Sequence, residues 1–149
     1  MISKILVPTD GSKAAQKAAR YAVELALQLK ASIIILCVVD KSLLMSQTVP
    51  ARKTARHVIE PIEDYLREAA HGYAGAIKNL CDQQGVSSKT VITEGHPVEE
   101  IVKGAERAKA NLIIMGSHGK SLLTAAVLGS VTYGVIHRDT KIPVLIVRR

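Results

Sequence analysis

The chain predicts a doubly wound α/β domain: a five-stranded parallel sheet with helices on both faces. Three observations predict it. Short apolar runs alternate with helix-period segments from end to end, the pattern of right-handed strand–helix–strand crossovers. The run Ser32 to Val39 is apolar without alternation, as a strand covered on both faces must be. Two strand ends carry chemistry beyond turn formation, Pro8-Thr9-Asp10 after the first strand and Met115-Gly116 after the fourth. Ligands of such sheets bind beyond the carboxyl ends of the strands where the winding reverses, so these two strands are expected to be neighbours and the order to be 3-2-1-4-5.

The first strand is read over Ile2 to Val7, stopped by Pro8, and Asp10-Gly11-Ser12 supplies a turn and a helix N-cap. Ala15, Ala18, Ala22, Leu25, Ala26 and Leu29 then share one helical face, whose alanines let the helix lie close to the sheet. After the second strand, periodicity fades from Asp40 to Lys53 and a loop is expected. A longer helix aligns Ala55, Val58, Ile59, Ile62, Leu66, Ala69, Tyr73, Ile77 and Leu80; it either starts near Pro61 or kinks there. Gly72 and Gly75 inside it suggest close packing.

Lys89 to Glu94 reads as the third strand. Pro97 at a first helical position and Glu99-Glu100 in the first turn open a helix with Val98, Ile101, Val102, Ala105 and Ala108 inward, broken at Asn111. Leu112 to Met115 is the fourth strand, Val131 to Arg138 a short helix and Ile142 to Val147 the fifth strand.

A length of 149 residues suits one domain, 1–149, that buries about two-thirds of its unfolded surface without staples. Cys37 and Cys81 form no CxxC or zinc pattern and read as small buried hydrophobes. With Pro8 interrupting the first apolar run and no run of membrane-spanning length, a soluble cytoplasmic protein is expected, with no membrane partner. The net charge of +7 suits a phosphate-bearing partner. Nucleic acid is not expected, because the basic residues are scattered, Trp and Phe are absent and no recognition module is legible.

The stretch from Met115 to Ser130 is a long glycine-punctuated loop between a strand and a helix. Glycines let successive backbone N–H groups surround an anion, and a helix start adds unpaired donors, so the stretch is a candidate phosphate cradle. It is not a P-loop, since Ile114 stands where that motif needs its first glycine, and no GxGxxG follows the first strand. What remains is Gly116, two residues, Gly119, nine residues, then Gly129-Ser130.

That spacing, with Val7-Pro8-Thr9-Asp10-Gly11-Ser12, Gly95-His96-Pro97, Ile113 to Gly119 and Pro143 to Val147, resembles the ATP-binding type of the universal stress protein family along the whole chain. The resemblance implies a nucleotide-binding, α-hydrolase-like fold. It assigns Gly116, Gly119, Gly129 and Ser130 to phosphates and ribose, Asp10 with Pro8 and Thr9 to the nucleoside end, and Val38 to the adenine. Lys120 and Ser121 stand within side-chain reach of phosphate, and Met115, Ser117, His118, Val131 and Thr132 complete the candidate set. Asp10 and Ser130 have a plainer reading as helix caps. His118 has no second ligand or orienting carboxylate at readable spacing, so neither a metal site nor a catalytic residue is expected.

The function the resemblance implies is an ATP-binding stress-response protein acting as a nucleotide-dependent binding or signalling module, with Mg²⁺ accompanying the phosphates. The alternatives are a slow ATPase or autophosphorylating enzyme, and an interaction or chaperone-like protein with a vestigial site. Ile142 to Val147, an edge strand with no charge between its ends, is expected to pair in a homodimer.

Overall fold

Five parallel strands pair in the order 3-2-1-4-5. The computed structural model describes residues 1–40, 42, 55–119 and 128–148, with the backbone alone for 55–60. Along the chain run β1 (Lys4–Pro8), α1 (Lys13–Leu29), β2 (Ser32–Asp40), α2 (Ala55–Gln84), β3 (Ser88–Gly95), α3 (Pro97–Ala108), β4 (Leu112–Gly116), α4 (Ser130–Ile136) and β5 (Val144–Val147). The sheet has two apolar faces. On one, Ile5, Val7, Ile33, Ile35 and Ile114 meet α1 and the second half of α2; on the other, Leu6, Ile34, Leu36, Ile113 and Met115 meet α3 and α4. Strand alternation thus divides the core, and the winding reverses between β1 and β4.

The expected loop at Asp40 to Lys53 lies outside the described residues apart from Asp40 and Ser42. α1 and α3 bury the faces their spacing predicts, with local corrections, whereas the buried seam of α2 shares only Ile77 with the expected set. In α1 the buried set is Ala15, Ala18, Ala19, Ala22, Val23 and Ala26, while Leu29, expected inward, is exposed at the helix end. Ser12 is the N-cap, its hydroxyl accepting from Ala15 N at 3.1 Å. Asp10 instead makes a turn, its Oδ1 accepting from Ser12 N at 2.9 Å. Pro61 lies within α2, which continues through it. The buried seam of α2 is Ala70, Ala74, Ile77 and Cys81, with Leu66, Tyr73 and Leu80 flanking it. Gly72 and Gly75 face open space, so the close packing expected there is not found.

In α3, Pro97 takes the first turn and Glu99 and Glu100 follow it, as expected. Gly129, not Ser130, occupies the N-cap position of α4. β5 begins two residues later than expected, because Pro143 has no N–H to donate; its carbonyl accepts from Ile113 N at 2.9 Å. Asn111 does more than end a helix: its Oδ1 accepts from Ser3 N and Lys4 N, each at 2.9 Å, and its own N–H donates to Lys4 O at 2.8 Å. These bonds pin the start of β4 beside the start of β1 and set the register that carries their far ends to the switch point.

Candidate functional site

Beyond Pro8, the chain leaves β1 in a tight turn. Thr9 is buried; its N–H donates to Leu36 O at 2.9 Å and its hydroxyl accepts from Gly11 N at 3.1 Å. Gly11 has φ +79°, and a Cβ there would sit 2.4 Å from the Tyr73 ring, so only glycine serves. The turn leaves Asp10 exposed at the head of α1.

The second strand end closes against the first through three glycines. A Cβ on Gly116 would lie 2.9 Å from the carbonyl carbon and oxygen of Ala14, so β4 ends in contact with the backbone of the first turn of α1. A Cβ on Gly119 would meet Asp10 Oδ2 at 2.7 Å. A Cβ on Gly129 would stand 2.9 Å from His118 Cα, and Gly129 N donates to Ser117 O at 2.8 Å. The outgoing and returning ends of the loop therefore touch, forming a neck above the β1–β4 gap.

Thr132 braces this neck from below. It is 3% exposed and its hydroxyl donates to Gly116 O at 2.9 Å. Its side chain and that of Met115, both members of the candidate set, are buried. Pro8, Gly116 and Gly129 are also buried, whereas Ser117, His118, Gly119, Val38 and Val131 are half-buried and Ser130 is exposed. Ser117 Oγ lies 3.0 Å from His118 Nδ1. Val38 stands on β2, separated from β4 by β1. Lys120 and Ser121 lie outside the described residues.

The described residues thus bring Asp10, Ser117, His118 and Gly119 together at the switch point, with Ser130 opening α4 directly after Gly129. The contributions of Ala14 and Tyr73, the surfaces against which Gly116 and Gly11 close, are not legible in sequence; the only signal is the unexplained glycines themselves. Two recesses, of about 540 and 400 Å³, lie elsewhere, at Arg67, His71, Thr90, Ile92 and Glu94 and between α3 and β3. Among the described residues no group of three or more His, Cys, Asp or Glu could hold a metal ion, and no helix is long and apolar enough to cross a membrane.

A doubly wound sheet whose switch point is closed by a glycine-necked loop defines a class: an α/β domain with a ligand crevice between β1 and β4. The model of the Universal stress protein family matches residues 1–148, and the chain belongs to that family. It is similar to Universal stress protein MJ0531 of Methanocaldococcus jannaschii, 36% identical over 149 residues covering 100% of this chain and 84% of that protein. It is also similar to Universal stress protein MJ0577 of the same organism, 38% identical over 159 residues covering 100% and 96%. The solved structure of MJ0577 superposes with a TM-score of 0.85 at 36% identity, over 100% of this chain and 97% of that one. A universal stress protein crystallised in complex with cAMP superposes with a TM-score of 0.61 at 29% identity, over 99% and 97%.

Proposed function

We propose that the chain binds ATP at the β1–β4 switch point and acts in the cytoplasm as a nucleotide-dependent binding or signalling module of the stress response. The observation that carries this reading is the contact of the Asp10 carboxylate with Gly119, which joins the two strand ends into one crevice. Backbone donors of the loop and the Ser130 hydroxyl would take phosphate and ribose, Asp10 with the Pro8 and Thr9 backbone the nucleoside end, and Val38 the adenine. The relative solved with cAMP supports an adenine nucleotide. Roughly four or five charge-assisted hydrogen bonds at ~1.5–3 kcal/mol each suffice for micromolar affinity after ordering costs. Mg²⁺ would accompany the phosphates.

Hydrolysis needs an oriented water and positive charge on the leaving phosphates. The reading therefore sets turnover far below the ordinary enzyme median of ~10 s⁻¹. Bound ATP would act by stabilising the conformation a partner prefers. The pairing of Ser117 Oγ with His118 Nδ1 favours one second reading. The imidazole takes the hydroxyl proton, Oγ bonds to the γ-phosphorus of ATP, and ADP leaves. Incorporation of labelled γ-phosphate, abolished in Ser117→Ala, would establish it.

Identification by mass spectrometry of the nucleotide released on denaturing freshly purified protein tests the main reading. ATP is expected, and protein free of any adenine nucleotide that also fails to bind added ATP would refute it.

A further inference from the structure

β3 is an edge of the sheet: among the described residues it pairs with β2 alone, in an unbroken register from Ser88 to Gly95. Ile33 N donates to Ser87 O at 2.9 Å, which fixes the way each residue of β3 points. In a parallel pair the N–H and C=O of one residue turn to the same side, and those of the next residue to the other. Ser87, Lys89, Val91 and Thr93 therefore serve β2, while the backbone groups of Thr90 and Ile92 turn outward and have no partner among the described residues. The side chains of Thr90, Ile92 and Glu94 line a recess of about 540 Å³ against Arg67 and His71 of α2. All three are only partly buried. Outward backbone and accessible side chains thus belong to the same residues.

Open edges are commonly blunted by proline, a bulge or charge. From Thr90 to Thr93 this edge is uncharged and β-branched throughout, without proline or bulge, a stretch well suited to further strand pairing. At the Glu94 end of the recess one guanidinium serves three carboxylates. Arg67 is paired with Glu94, and Glu63 Oε2 and Asp64 Oδ1 lie 3.9 and 4.0 Å from it, which leaves that end negative on a chain of net charge +7. We infer that the β3 edge takes up an extended peptide of a partner protein as an added antiparallel strand, with a lysine or arginine opposite Glu94 and apolar residues opposite Ile92 and Thr90. Antiparallel pairing is the slightly more stable kind, and in it Thr90 and Ile92 each exchange both backbone hydrogen bonds with the residue opposite. The recess has the size of a site for a short segment, roughly 300–1,000 Å³, rather than of the broad surface that two folded subunits share.

Fluorescence anisotropy with the full chain tests the inference. The probe is a labelled, blocked hexapeptide reading lysine, threonine, valine, threonine, valine, threonine, whose lysine and valines would share the face of Glu94, Ile92 and Thr90. Saturation at one peptide per chain is expected, and N-methylation of the two valines, which removes donors to the edge, should weaken binding at least about tenfold. Thr90→Pro deletes an outward N–H that β2 does not use, so circular dichroism and ATP affinity should persist while peptide binding falls about tenfold or more. Absence of saturable binding, equal binding of the N-methylated peptide by the wild type, or full affinity in folded Thr90→Pro overturns the site. Equal binding of a peptide with glutamate in place of lysine overturns the choice of a basic partner. A wild-type dimer that sediments as a monomer after Thr90→Pro overturns the peptide in favour of a second copy pairing through β3.

Discussion

Oδ2 of Asp10 stands 2.7 Å from the point at which a side chain on Gly119 would begin. The other carboxylate oxygen accepts from Ser12 N, so the Asp10 side chain is held at the head of α1 rather than swinging freely. The residue after β1 and the loop after β4 are thereby one structure. Each glycine of the spaced motif makes a close approach of its own, and the three approaches differ in what yields when they are disturbed.

Gly116 meets backbone, which cannot yield cheaply. Gly116→Ala should force β4 away from Ala14 and strain the Thr132 bond to Gly116 O, at a cost of about 1–3 kcal/mol. Urea unfolding at constant slope measures it, and an unchanged midpoint contradicts the packing role.

Gly72 and Gly75 present the opposite case, since neither has a neighbour within 4 Å of a built Cβ. Each occupies a helix interior where alanine is the better residue, so Gly72→Ala and Gly75→Ala should each stabilise the protein by ~0.5–1 kcal/mol. A fall in melting temperature in either variant would show a packing role that the structure lacks.

These glycines show what was legible. The fold class is legible in continuous apolar runs alternating with helix-period segments, and the sheet order in the chemistry at two strand ends, which marks where the winding reverses. A glycine leaves no trace of its reason. Gly72 in a helix and Gly116 at a strand end look alike on the page, yet one faces solvent and the other a carbonyl from a distant segment. Thr132 stands beside the motif in the sequence, which does not reveal that helix geometry turns its side chain beneath Gly116. Asn111 looks in the sequence like a helix breaker alone, because its partners, Ser3 and Lys4, lie at the other end of the chain. Leu29 fits the inward period of α1 but is the last residue of the helix and is exposed.

Cys81 is fully buried in α2, and burial pushes its thiol up from the ordinary value. A raised folded-state value means the folded protein holds its proton longer than the unfolded chain does. The associated stability is therefore complete below about pH 8.5, where the unfolded thiol is still protonated, and is lost as pH rises through the folded value. Urea midpoints at neutral and alkaline pH should fall further in the wild type than in Cys81→Ala. Equal losses would contradict the assignment.

β5 is the sheet edge beside β4, and all four of its residues are only partly buried. An edge strand of Val144, Leu145, Ile146 and Val147 is a ready pairing surface, and a two-fold pairing with a second copy would close it. Sedimentation should show a homodimer in the wild type and a monomer in Leu145→Lys. A monomeric wild type at tens of micromolar contradicts the proposal.

The most direct test of the nucleotide site is a calorimetric titration of ATP into wild type and Gly119→Ala. Among the described residues the substitution collides only with the far end of the Asp10 side chain, so the fold should persist while the carboxylate is displaced from the crevice. Micromolar affinity in the wild type, weakened about tenfold or more in the folded variant, is the predicted result. Equal ATP affinity in the two proteins, or no ATP binding by the wild type, would contradict it.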